Sequence, residues 1–238
     1  MHGDEREAQS VGAAIVGALA EAGVSAIEVP RASVDWQAVS TAYAEDARRR
    51  DARARFDVFA AEFPGLVETD WARPCFDTNR AAIDKVLGWQ YGPRGLLASG
   101  PTGRGKTRAL VALYRRLAYD EGRYARYYFA GDWFAALQSN LSYGRDEARG
   151  WVEACARRPL VIIDDLGQEA MQSSRSDWAQ AWFFRFLDLR IGRRLPLIVS
   201  TNISARDMAG GGCGDSAYIR RDPLVRRLTE LCEVVKFN

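Results

Sequence analysis

Gly100-Pro101-Thr102-Gly103-Arg104-Gly105-Lys106-Thr107 follows the apolar run Leu96-Leu97-Ala98 and has the spacing G-x-x-x-x-G-K-T. A strand that leaves a sheet into such a turn, with a helix opening behind it, presents successive backbone N–H groups to a phosphate. The helix adds the positive end of its dipole. Lys106 then reaches the β- and γ-phosphates, and the Thr107 hydroxyl is placed to ligate magnesium. A chance glycine turn gives no reason for Lys and then Thr after the last glycine. The stretch from Gly100 to Thr107, with the adjoining Arg108, therefore reads as a nucleoside triphosphate site.

A second run, Leu160-Val161-Ile162-Ile163-Asp164-Asp165, is apolar and ends in two carboxylates. A parallel strand buried on both faces shows its first acidic residues where it emerges at its carboxyl end, beside the phosphate loop. Asp164 is placed to hold Mg2+ and Asp165 to orient and polarise an attacking water. A third run, Leu195 to Asn202, is an apolar strand ending in Ser200-Thr201-Asn202, with Asn202 placed to hydrogen-bond the γ-phosphate or that water.

Length and composition fit this reading. A chain of 238 residues with 47% hydrophobic content can bury one full α/β core and carry a smaller appendage. Thirty-three basic against 31 acidic residues leave a formal charge of +2, so any surface for a polyanion must be local. Cys75, Cys155, Cys213 and Cys232 are scattered, form no C-x-x-C pair and suit a reducing cytoplasm. The one histidine, His2, stands near the N-terminus, which removes histidine-based catalysis and ligation. The apolar stretch Val11 to Ala20 is too short to span a bilayer and lacks a positive flank, so neither a membrane anchor nor a signal peptide is expected.

Helical periodicity marks residues 5 to 22 and, after Pro30, a longer helix from about Val34 to Phe63, stopped by Pro64-Gly65. Its middle, Arg48 to Arg55, is strongly basic, which suits either a solvated face or a surface for a phosphate backbone or acidic partner. Leu66 to Arg73 reads as a linker, and a helix from about Thr78 to Trp89 precedes the phosphate loop. A helical region over residues 1–65 and a nucleotide domain over 66–238 are therefore expected. Beyond the loop come a helix to about Tyr119, a strand from Arg123 to Phe129 and helices over Asp132 to Leu141 and Asp146 to Ala156. A helix carrying Trp178, Trp182, Phe186 and Leu189 follows. Ala209 to Gly214 reads as a flexible loop before Arg220 to Leu228, and Cys232 to Phe237 as a final strand.

The order of these motifs resembles the AAA+ ATPases, specifically the DnaC/DnaI-type helicase loaders and their IstB-type transposition relatives, over about residues 66 to 238. The residues that carry the resemblance are the Gly100 loop, Asp164-Asp165-Leu166-Gly167, Ser200-Thr201-Asn202 and Leu224-Val225-Arg226-Arg227-Leu228. It implies a three-layer α/β/α P-loop fold with a mostly parallel sheet behind a small α-helical N-terminal region. The chain stops within a few residues of its last strand, so no C-terminal lid domain is expected. The material from Asp132 to Ala156 is similar to the insertion of initiators and loaders. The resemblance also implies that an arginine, Arg227 first and Arg226 second, completes a neighbouring copy's ATP site.

Two functions follow from the resemblance, both in the cytoplasm and both with ATP, Mg2+ and ATP-dependent homo-oligomers. One is a bacterial or phage helicase loader that assembles on single-stranded DNA and holds a replicative helicase through its N-terminal helices. The other is an IstB-type helper that binds duplex DNA and a transposase. A P-loop kinase or stand-alone NTPase is a third reading, for which no substrate pocket or arginine-rich lid can be placed.

Overall fold

The computed structural model describes residues 35–167, 176–203 and 215–238. Cα packing divides the chain into two units, residues 1–47 and 48–238. In the first, Asp35 starts a helix by accepting the N–H groups of Gln37 and Ala38, each at 3.0 Å, which satisfies two of the donors that a helix start leaves open. That helix is α1, Trp36–Glu62.

The second unit is organised by five short strands: β1 (Gly95–Ser99), β2 (Arg126–Phe129), β3 (Val161–Asp164), β4 (Leu197–Thr201) and β5 (Cys232–Lys236). They lie in the order β2-β3-β4-β1-β5, and every pair is parallel. Parallel neighbours need crossovers, and here helices supply them on both faces. Strand side chains alternate between two cores. Leu96, Ala98, Ile162 and Ile198 join one; Leu97, Val161, Ile163, Leu197 and Val199 join the other. This division explains why the strands read as unbroken apolar runs.

The first core is covered by residues 48–62 of α1, by α4 (Arg80–Leu87) and by α5 (Lys106–Tyr119), after the short turns α2 (Pro64–Val67) and α3 (Pro74–Asp77). The second is covered by α6 (Ala130–Tyr143), α7 (Arg145–Ala156), α8 (Ser176–Arg193) and α9 (Asp215–Leu231). Trp133 is fully buried there against Trp151, Phe183 and Phe186. The expected three-layer α/β/α arrangement is present. Ala52, Phe56 and Phe59 share a core with α5 and the sheet, so residues 48–65 pack with the nucleotide module rather than apart from it.

Several element limits differ from the sequence reading for local reasons. Pro64 does not merely stop α1; it begins a new turn, which its fixed φ and missing N–H permit. Strand β2 starts at Arg126 rather than Arg123. The Arg123 N–H bonds back to Leu117 O at 2.7 Å, and Gly122 takes a φ of 58° to close the end of α5. Strand β4 starts at Leu197 because the Leu195 N–H is spent on Arg190 O at 3.1 Å. The stretch before β5, read only as a basic string, is helical from Asp215 and carries Pro223 inside it. The helix expected over residues 5–22 and the loop Ala209–Gly214 lie outside the described residues. Among the described residues, no helix is long and apolar enough to cross a membrane.

Candidate nucleotide site

The carboxyl ends of β1, β3 and β4 meet at one edge of the sheet. Beside them the chain leaves β1 through the glycine loop and enters α5. Gly103 and Gly105 take φ values of 79° and 93°, a region that favours glycine. A Cβ on Gly105 would also stand 2.9 Å from the ring of Phe76. Gly103 is different: nothing lies within 4 Å of its missing Cβ, so the outer side of the bend is open.

Lys106 is buried at the first position of α5, and its ammonium donates to the carbonyls of Gly100 and Pro101, each at 2.7 Å. Burial lowers its pKa, while the charges of Asp165 and Asp164 act to raise it. Those carboxylates behave differently from one another. Asp164 is completely buried, with Oδ2 accepting the Tyr127 hydroxyl at 2.8 Å and Oδ1 accepting the Ser200 hydroxyl. Burial pushes the Asp164 carboxyl up; hydrogen bonds from Ser200, Tyr127 and Thr107 pull it down, and the neighbouring Asp165 charge adds to the upward push. Tyr127 is raised well above the ordinary phenol value by its own burial and by the Asp164 charge.

Asp165 is exposed, with φ at 57°, a left-handed conformation that aspartate tolerates better than most residues. Its N–H donates to Ser200 Oγ at 2.8 Å. One hydroxyl of β4 thus spans both aspartates, as an acceptor for one and a donor to the other. The junction is fixed further by Leu166 N–H to Ser200 O at 2.8 Å and by Thr201 Oγ1 to Leu166 O at 2.6 Å.

A cleft of about 330 Å3 runs along this edge, lined by residues 102–108 of the loop and α5, by Asp165 and Ser200, and by Leu66, Arg73 and Phe76. The structure therefore brings Thr102, Gly103, Arg104, Gly105, Lys106, Thr107 and Arg108 together with Asp165, and Asp164 stands directly behind them. Arg108 also ties α5 to the preceding chain through Gly65 O at 2.7 Å and Thr69 Oγ1 at 3.1 Å. Asn202 is exposed just past β4 and is not among the lining residues. Tyr127, Arg73 and Phe76 are not among the site residues expected from the sequence, and Ser200 is expected there only as part of the strand end that presents Asn202. The sequence places Tyr127 only on a strand and Arg73 at the end of a linker.

The residues fit a triphosphate and its metal. An open glycine bend at a helix start, a buried lysine and a hydroxyl beside a buried carboxylate form the donor and acceptor set such a ligand uses. Among the described residues no three His, Cys, Asp or Glu side chains cluster as a self-sufficient metal cage, whereas magnesium at nucleotide sites draws most of its ligands from phosphate and water.

The two candidate terminal arginines on α9 are in different states. Arg227 pairs with Asp188 of α8, Nε to Oδ1 at 2.5 Å and Nη2 to Oδ2 at 3.2 Å, lies over the Phe184 ring at 4.7 Å, and has its pKa raised by that partner. Arg226 is exposed, and its guanidinium has no hydrogen bond or ion pair with any described residue.

A parallel P-loop sheet with this edge defines an ATP-binding module of the AAA+ class. Residues 37–238 match the family of IstB-like ATP binding proteins, and the chain belongs to that family. Among solved structures, DnaI aligns with a TM-score of 0.54 at 19% identity, over 72% of this chain and 89% of that one. The DnaC helicase loader aligns with a TM-score of 0.52 at 20% identity, over 73% and 96%. Domain III of DnaA from Thermotoga maritima gives 0.52 at 17% identity, over 74% and 68%. At these identities the likeness establishes the shared fold. No curated protein matches the chain.

Proposed function

We propose that this chain is an ATPase whose nucleotide state governs its assembly on DNA, and that it acts as a loader for a replicative helicase. The observation that carries the ATPase reading is the Ser200 bridge between the two aspartates beside the glycine bend. It leaves a buried carboxylate, Asp164, behind the Thr107 hydroxyl and an exposed one, Asp165, facing the cleft.

When bound, Mg2+ neutralises developing charge on the phosphates. Thr107 and Asp164 are the residues to hold it. Lys106, released from the Gly100 and Pro101 carbonyls, binds the β- and γ-phosphate oxygens. Asp165 accepts a proton from water or orients it, and Asn202 is the candidate for a second contact to that water. Arg226 suits the trans-acting role better than Arg227, because reaching a neighbour's γ-phosphate costs it no ion pair. Arg227 would have to leave Asp188. Hydrolysis would then depend on assembly, and residues 1–65 would carry the partner surface.

The family match over residues 37–238 favours a second reading, an IstB-type helper of transposition working on duplex DNA. Both readings place the chain in the cytoplasm. One experiment addresses both: ATP-dependent assembly and turnover of the full chain on single- and double-stranded DNA at fixed ionic strength. We expect Lys106→Ala to lose ATP binding by about a hundredfold, roughly 2.7 kcal/mol, and Asp165→Asn to bind ATP without turning it over. Arg226→Ala should bind ATP but turn over only when mixed with Lys106→Ala subunits. Recovery of a hexameric helicase with the full chain supports the loader; filaments on duplex DNA support the helper. ATP turnover indifferent to DNA and to protein concentration would sink both.

A further inference from the structure

The basic run that the nucleotide site does not use lies at the other end of the sheet. The loops that feed the amino ends of the strands carry Tyr91, Gly122, Arg123, Tyr124 and Arg158, and β2 opens on Arg126, one helix length from the phosphate loop. That separation is about 20 Å for the 14 residues of α5. Onto these loops α1 lays Arg49, Arg53 and Arg55. A Cβ on Gly122 would stand 2.1 Å from the Arg49 Cγ, so the loop is pressed against the helix there. Arg53 donates to Tyr119 O at 3.1 Å and lies 5.6 Å over the Tyr119 ring.

The arginines of this face rest on tyrosines. Arg55 and Arg158 both approach the Tyr124 ring, at 4.8 and 5.7 Å; Arg123 lies 4.0 Å over Tyr91, and Arg126 lies 5.2 Å over Tyr128. A guanidinium held against a ring keeps its N–H fork free in its own plane and has less rotamer freedom to lose when an anion arrives. Local carboxylates do not neutralise the set. Asp51 takes Arg55, and Glu121 takes Arg116 and Arg123. Arg49, Arg53, Arg126 and Arg158 are exposed and have no carboxylate partner among the described residues. In a chain of formal charge +2, such a concentration is a local feature.

We infer that this arginine–tyrosine face is a binding surface for the phosphodiester backbone of a nucleic acid, separate from the nucleotide cleft. It deepens the DNA-bound reading above and rests on it. An acidic protein would satisfy the charge, but an adjoining groove favours nucleic acid. The groove, about 550 Å3, has Arg55 and Arg126 at one end and Phe59, Phe63, Tyr127 and Phe129 along it, with Glu62 and Asp132 at the other end. Aromatic surface beside a basic rim is what unstacked bases and their phosphates use.

The test uses the full chain and labelled 30-mer oligonucleotides, single-stranded and duplex, with affinity measured by anisotropy across a salt series. R53A/R126A/R158A should weaken binding at least tenfold with no dependence on sequence. It should also reduce the slope of log K against log salt by about 2 on single strands and about 2.7 on duplex, three phosphate contacts in each case. ATP binding should be unchanged in that variant, which separates this face from the nucleotide cleft. Wild-type binding with an unaltered slope in the triple variant overturns this surface while leaving the DNA reading intact. No binding of either oligonucleotide by wild type overturns both. Competition by poly-glutamate as effective per charge as by DNA reassigns the face to an acidic protein and overturns the proposal.

Discussion

At the scale of single residues, the nucleotide edge depends on a hydroxyl that the sequence marks only as part of the Ser200-Thr201-Asn202 strand end. Ser200 accepts from Asp165 N–H and donates to Asp164, so removing it unmakes one hydrogen bond to a charged group and orphans a backbone donor. Such losses amount to about 1.5–3 kcal/mol, or at least tenfold in rate if they fall on the transition state. Ser200→Ala is therefore expected to lower kcat about tenfold with ATP affinity within about threefold, and Ser200→Thr to recover part of it. An unchanged kcat would remove Ser200 from the positioning of the aspartates. The phosphate loop and the aspartate pair were legible because each is a contiguous string with a fixed local geometry. Ser200 and Tyr127 were not legible as partners of Asp164. They come from β4 and β2, on either side of β3, and only the strand register brings them to one carboxylate.

At the scale of elements, Arg190 shows how a charged side chain can hold two crossovers together. It is fully buried within the aromatic side of α8 and donates to the carbonyls of Ala156, Arg158, Pro159 and Pro196. Burial lowers its pKa to about 10, which leaves it protonated at neutral pH. The loops entering β3 and β4 thus share one donor. Arg190→Met conserves bulk but leaves those carbonyls without a charged donor. The expected destabilisation is on the order of 3 kcal/mol, or about 6–12 °C in Tm for a unit of this size; a shift under about 2 °C would contradict the bracing role. The aromatic spacing of α8 was readable as packing, since Trp182, Phe186 and Leu189 pack into or against the second core. The role of Arg190 was hidden, because its acceptors lie more than thirty residues away or beyond the end of its helix. Helix α9 escaped for another reason: a glycine-rich approach and an internal Pro223 both argue locally against a helix, and packing on α8 and β5 prevails.

At the scale of the whole molecule, a sheet with two covered faces and a nucleotide edge could be anticipated from three apolar runs and their polar ends. The distribution of charge could not, because the arginines that gather at the opposite edge are spread from Arg49 to Arg158 in sequence. Global stability should also carry the signature of the buried Asp164. Its carboxyl pKa is raised in the folded chain, so the native state binds that proton more tightly than the unfolded state does. The resulting stability is fully present below the ordinary carboxylate pKa and is lost as pH rises through the raised folded value. The difference in unfolding free energy between wild type and Asp164→Asn, without nucleotide, should therefore shift against wild type as pH rises above the ordinary carboxylate range. A difference that stays flat would mean that Asp164 titrates as an ordinary carboxylate. The other end of the glycine loop has a practical corollary. The Phe237 carbonyl sits where a Cβ on Gly100 would be, at 2.0 Å, and Asn79 brackets the backbone of Asn238 from both sides, at 2.6 and 2.9 Å. A bulky group attached to the chain at Asn238 would sit beside the phosphate loop and should disturb nucleotide uptake.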